Sequence, residues 1–210
     1  MARITGVADR DAGLLVKLVY RFTRRSLAQL AGRELERMIE PLELYAHAPG
    51  LLLGYAMFEW ATAKQERVDK RLRFLAELKA ATITQCEYCI DMGSQVARQS
   101  GLSDEQLLAL PRYRESELFT PLEKLVLDYA VGMSRTPVDV PDALFAELRK
   151  HFDEAQLVEL TSVIALEAMR GRFNLALGIG AAGFSEGMVC AVPATATEPQ
   201  GGGALNMPAT

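Results

Sequence analysis

Two cysteines three residues apart, in Thr84-Gln85-Cys86-Glu87-Tyr88-Cys89-Ile90-Asp91-Met92-Gly93, are the residues of this chain best suited to chemistry. They follow a helical stretch from Leu72 to Ile83 and precede another that runs to about Arg98, so they fall at the start of a helix. There the first thiol faces unsatisfied backbone N–H groups and the positive end of the macrodipole, both of which favour thiolate. Thiolate is the form that attacks peroxides and disulfides. Helical spacing sets the two side chains about 5–6 Å apart at Cβ, close enough for modest adjustment to close a disulfide. The competing accounts are two small buried hydrophobes and a zinc site. Closed zinc sites take four ligands, and the remaining Cys190, His47 and His151 have no paired spacing. No metal or organic cofactor is expected.

The elements that must position this pair are helical. Leu122, Leu125, Val126, Tyr129, Ala130 and Met133 recur at helical spacing, with Thr120 as N-cap, Pro121 in the first turn and Glu123 beside it. Pro137 and Pro141 bound the link to a short helix containing Leu144, Phe145 and Leu148. Further helices are expected near 10 to 25, 26 to 40, 51 to 63, 68 to 83, 87 to 99, 103 to 110 and 153 to 180. Ser103-Asp104-Glu105-Gln106 offers a cap for the sixth of these, and Gly101 a stop for the fifth. No alternating strand pattern appears, so the fold class expected is all-α. Residues 1 to 65 read as an N-terminal helical extension, 66 to 190 as the main helical unit and 191 to 210, rich in Pro, Ala, Thr and Gly, as a flexible tail.

Composition limits the partners. Of 210 residues half are apolar and about a quarter charged, enough to bury a core as one domain or two intimately packed lobes. A net charge of -4 offers no basic field for a nucleic acid or an anionic membrane, so neither is an expected partner. The first residues are charged at Arg3, Asp9, Arg10 and Asp11, without a signal-peptide core, and the longest apolar run is Leu51 to Phe58. A membrane span needs about twenty residues, so a cytoplasmic location is expected. Thiols are kept reduced there, which favours a catalytic pair over a permanent staple.

Leu75-Ala76-Glu77-Leu78-Lys79-Ala80-Ala81, Cys86-Glu87-Tyr88-Cys89, Gly101-Leu102-Ser103, Glu159-Leu160-Thr161 and Arg172-Phe173-Asn174 together resemble, in order and spacing, the carboxymuconolactone decarboxylase/AhpD-like (alkylhydroperoxidase) family. The resemblance covers about residues 65 to 185. It implies an all-helical homo-oligomer acting as a thiol-dependent peroxidase or disulfide oxidoreductase on a small peroxide or disulfide, recycled by an external dithiol. It further implies Cys89 as the attacking cysteine and Cys86 as its resolving partner, whereas the macrodipole favours Cys86 as the more acidic thiol. Both assignments stay open at this point. The rival readings are a lyase or hydrolase on a small lactone or carboxylate, and a non-catalytic helical scaffold or redox sensor.

The chain departs from the family at two positions that carry protons. A glutamate twelve residues before the first cysteine and a histidine four after the second are replaced by Phe74 and Gly93. Glu77, one turn from Phe74, is the candidate replacement, the alternative being a solvated surface charge. Tyr88 is either a proton donor or packing. His47, in the turn-rich Tyr45-Ala46-His47-Ala48-Pro49-Gly50, either approaches the cysteines from the extension or is structural. Asp91 should point roughly 140–160° away from both cysteines, toward another helix or a neighbouring subunit. His151 suits a helix C-terminus. Arg170, Arg172 and Asn174, with Glu167 upstream, form a polar stripe, read as a structural network with Glu167 or as an anion site. Cys190 has no partner by spacing.

Overall fold

The computed structural model describes residues 2–31 and 38–193. Among these no strand forms, and the regular elements are α1 (Leu14–Ala31), α2 (Glu40–Tyr45), α3 (Pro49–Ala63), α4 (Lys70–Thr84), α5 (Glu87–Gln99), α6 (Asp104–Ala109), α7 (Pro121–Ser134), α8 (Asp142–Leu148) and α9 (Glu154–Leu177). The all-α expectation holds. The break expected between residues 25 and 26 is absent, because no proline or glycine interrupts the chain from Leu14 to Ala31. Residues 32–37, in the second expected helix, and 194–210, most of the expected tail, lie outside the described residues. Of the tail, Ala191 is buried, and its N–H donates to Ser94 Oγ at 2.9 Å.

Local signals set the helix starts. Ser103 with Gln106 and Thr120 with Glu123 form reciprocal capping boxes, as does Asp153 with Gln156 at the head of α9. Gly101, at φ 88°, turns the chain out of α5 in a region that penalises a Cβ.

Helix α4 is the axis, packing on α5, α7 and α9. One of its faces places Leu75, Leu78 and Ala81 in a core with Cys86, Cys89 and Ile90 of the cysteine segment. Another places Ala76 and Ala80 against Val126 and Ala130 of α7 and Leu160, Val163 and Ile164 of α9. Each leucine so buried contributes about 1.5–3 kcal/mol. Contacts rise in step along α4 and α9, from Arg73–Glu159 through Glu77–Arg170 to Thr84–Gly171, so the two helices run in the same sense. A third core joins Val16, Val19 and Tyr20 of α1 to Leu42 of α2 and Leu52 of α3. Leu14, Leu18 and Phe22 of α1, with Leu51, Met57 and Trp60 of α3, are more than half exposed. Among the described residues, no helix is long and apolar enough to cross a membrane.

Candidate functional site

The cysteine pair sits where α4 hands over to α5. Gln85 takes a left-handed conformation at φ 57°, and the Cys86 N–H reaches back to the Ala81 carbonyl while the Gln85 N–H reaches Thr82. These two bonds satisfy the last carbonyls of α4 and make Cys86 the N-cap of α5. Its Sγ accepts the Cys89 N–H at 3.2 Å, the bond that serine or aspartate oxygens usually make at this position. Cys86 and Cys89 are joined as a disulfide, with their Cα atoms 5.2 Å apart. Both are buried, Cys86 at 1% exposure and Cys89 at 7%, so Cys89 is the more exposed residue of the pair.

The opposite wall comes from α9. A Cβ on Gly171 would lie 2.7 Å from Thr84 Oγ1, so this glycine lets α9 approach the last turn of α4. Three residues on, the buried Asn174 directs Nδ2 at both sulfurs, 3.6 Å from Cys86 Sγ and 3.5 Å from Cys89 Sγ. The sequence reads Asn174 as part of a network with Glu167 or of an anion site. Helical periodicity shows which residues share a stripe but not which neighbour the stripe meets; the signals available were an amide one turn beyond a glycine and its place in the Arg172-Phe173-Asn174 run of the resemblance.

Asp91 was expected to contact another helix or a neighbouring subunit, but its partner is the irregular segment after α9. Its carboxylate accepts the N–H groups of Ala182, Phe184 and Ser185 at 2.9, 3.0 and 2.7 Å, and Ser185 Oγ donates to its carbonyl. That corrects the expectation: a buried carboxylate needs donors, and the segment after α9 supplies three from its backbone. The same segment lays Phe184 edge-on against Tyr88, with ring centroids 6.1 Å apart. Tyr88 is buried and its hydroxyl has no hydrogen-bond partner, while burial and the nearby Asp91 push its phenol far above the ordinary range. It stays protonated.

Glu77 is not a solvated surface charge. It enters a carboxylate cluster around Arg170, whose guanidinium binds Glu59 of α3 at 2.5 and 2.8 Å, Glu167 at 2.8 Å and Glu77 at 3.3 Å. Burial raises the Glu77 carboxyl to about 7; Arg170 opposes the rise and Glu167 adds to it. Burial also raises Glu167. It acts the same way on Glu59, but the Arg170 guanidinium outweighs it and holds that carboxyl below its ordinary value. One guanidinium faces three carboxylates, and with its carboxyl at about 7 Glu77 is divided between its protonated and ionised forms near neutral pH. A carboxyl raised in the folded state contributes stability that is complete below its unfolded value and is lost as pH rises through about 7.

The remaining candidates are placed elsewhere. His47 is exposed and its Nε2 lies 2.7 Å from the Thr5 carbonyl, so the bond it makes ties the α2–α3 turn to the N-terminal segment and not to a thiol. His151 is 3.8 Å from Glu147 at the end of α8. Arg172 donates to Thr136 Oγ1 at 2.7 Å, away from the Arg170 cluster. Phe74 is half-buried, and a Cβ on Gly93 would lie 3.2 Å from Leu78 Cδ1, so packing fills that family position. Cys190 keeps a free thiol. Glu59 and Tyr55, whose hydroxyl joins Glu59 and Arg170, were not read from sequence. Among the described residues, no group of three or more His, Cys, Asp or Glu is arranged to hold a metal.

An all-helical chain with a CxxC pair at a helix start fits the family that the sequence resembles, and the comparisons show that family. The chain belongs to the carboxymuconolactone decarboxylase family, whose sequence profile matches residues 49–131. It is 36% identical over 171 residues to the uncharacterized protein YnjA of Escherichia coli (strain K12), covering 80% of this chain and 91% of that one. Among solved structures it is similar to the debrominase Bmp8, with a TM-score of 0.74 at 18% identity, covering 87% of this chain and 93% of that one. It is also similar to a peroxidase-related protein with an alkylhydroperoxidase AhpD core from Ralstonia eutropha JMP134. There the TM-score is 0.64 at 18% identity, with 86% of this chain and 96% of that one covered.

Proposed function

We propose that this chain is a thiol-dependent peroxidase or disulfide oxidoreductase that cycles Cys86 and Cys89 between dithiol and disulfide in a reducing compartment. The observation that carries this reading is the pair itself: two sulfurs bonded to each other at a helix N-terminus, one accepting a backbone N–H and both within reach of an amide. Those donors favour thiolate. Cys89, the more exposed residue of the pair, attacks the distal oxygen of a hydroperoxide; the O–O bond breaks, the leaving alkoxide takes a proton, and Cys89 becomes a sulfenic acid. The Cys86 thiolate then displaces hydroxide from that sulfur, which leaves as water after protonation. Two thiols and one hydroperoxide give a disulfide, an alcohol and water.

An external dithiol reverses the oxidation. It attacks Cys89 and expels Cys86, the better leaving group because the Cys89 N–H already stabilises its charge. We assign the displaced thiol proton to Glu77, the carboxyl whose burial brings it to about 7. Its partner Arg170 lies one turn of α9 before Asn174, on the helix whose Asn174 faces the sulfurs. The proton route uses neither His47 nor Tyr88. Exposed apolar side chains on α1 and α3 further support self-association into a homo-oligomer. Sedimentation should then give a multiple of the 23.1 kDa chain, and a monomer at micromolar concentration would contradict it.

Steady-state turnover tests the activity. With a small dithiol in excess, the protein should consume an organic hydroperoxide or a low-molecular-weight disulfide. A brominated pyrrole forms a further arm, since the similar fold of Bmp8 belongs to a debrominase and a thiolate can take bromine as it takes oxygen. No dithiol-dependent turnover in any arm would overturn the redox reading. Turnover of a small lactone by a protein lacking both cysteines would put a lyase or hydrolase in its place.

A further inference from the structure

With Phe74 and Gly93 at the family's two proton-handling positions, no carboxylate or imidazole side chain bonds either sulfur among the described residues. What the sulfurs do meet is a neutral amide. We propose that Asn174 is a catalytic residue of this pair, donating its carboxamide N–H to whichever of Cys86 and Cys89 carries the negative charge at each step.

The inference rests on the redox reading above and on three observations. Asn174 Nδ2 is almost equidistant from the sulfurs, at 3.6 and 3.5 Å, so one rigid donor serves attacking and resolving thiolates without moving. Its side chain is 3% exposed, where a hydrogen bond to a charged group is not diluted by competing water. Its reach depends on the close approach of α9 to α4 at Gly171, whose Cβ would overlap Thr84. A carboxamide keeps its donors at every pH, whereas a histidine would lose its charge near neutrality. Only the NH₂ face of the amide can stabilise a thiolate, because sulfur in that state is purely an acceptor.

The carboxylates around the pair are engaged elsewhere or exposed, and the buried Tyr88 hydroxyl between the cysteines bonds neither sulfur. On α5, Glu87 is exposed and Asp91 is saturated by the 182–185 backbone; Glu77 of α4 and Glu167 of α9 are bound to Arg170. The Cys89 N–H, fixed by the helix start, serves Cys86 alone. Among the described residues, Asn174 presents a side-chain donor to Cys89.

The test reads the thiols directly and needs no turnover. The full chain is reduced, and the pH dependence of iodoacetamide alkylation is followed by mass on the peptide carrying Cys86 and Cys89, which separates them from Cys190. Asn174→Leu, similar in shape and without a donor, should raise the lower thiol midpoint by about one pH unit, a tenfold loss of thiolate at a fixed lower pH. Asn174→Asp, which presents a charged acceptor instead, should raise it further. An unchanged midpoint in a folded Asn174→Leu protein would overturn the proposal, and so would loss of the helical far-UV spectrum in both variants, which would make Asn174 a packing residue first. Shifted midpoints in a protein that consumes no peroxide would sustain the role of Asn174 and count only against the peroxidase reading.

Discussion

Arg170→Met is expected to lower the unfolding free energy by about 3–5 kcal/mol at pH 8, because it strands carboxylates in a buried cluster. Arg170 is the cation shared by Glu59, Glu77 and Glu167, whose side chains are 29%, 18% and 7% exposed. It is also the clasp between α3 and α9. Glu59 lies 111 residues away in the chain and is held by two guanidinium nitrogens, so losing Arg170 loosens the packing of the N-terminal helices as well.

The sign of the pH dependence follows from the same cluster. Glu59 has its carboxyl lowered in the folded protein, so the stability it contributes is present above its unfolded value and lost as pH falls through the folded one. Without Arg170 its burial would raise it instead, as burial already raises Glu77 and Glu167. All three then resist ionisation, so the variant is least impaired at acid pH and most impaired at alkaline pH. Urea unfolding of both proteins at pH 5 and pH 8, in the same thiol state, measures this. A destabilisation equal at the two pH values would show that Arg170 contributes packing and not charge.

Sequence carried the helices and the position of the pair better than it carried the site's chemistry, and the reason is separation along the chain. Caps such as Ser103 with Gln106 and Thr120 with Glu123 act within four residues, and their signatures were legible. So was the placement of Cys86 and Cys89 at a helix start, because glutamine and cysteine end one apolar periodicity and another follows. The contacts that make a site of the pair are long-range. Asn174 meets Cys86 across 88 residues, and Glu77 meets Arg170 across 93. A lone glutamate in a helix reads as solvated unless the facing helix is known, and here that facing helix brings an arginine. Asp91 is a further case: its partner is irregular backbone that carries no periodic signal, so the expected contact with another helix or subunit missed it.

Replacing the cysteines one at a time should have the largest effect on activity. Cys89→Ser should abolish even the first reaction with peroxide, since it removes the more exposed cysteine and leaves Cys86 at 1% exposure. Cys86→Ser should allow one reaction per chain and then stop, with Cys89 held as a sulfenic acid that no neighbouring thiol resolves. In peroxide-consumption kinetics the first variant gives no burst and the second a stoichiometric burst without turnover. The opposite pattern would exchange the two roles, in line with the macrodipole at Cys86. The most direct measurement of the central claim is the thiol count of the reduced wild-type chain after one equivalent of hydrogen peroxide. Of its three cysteines, Cys86 and Cys89 should be lost together to a disulfide while Cys190 remains free; retention of all three thiols would contradict the peroxidase function.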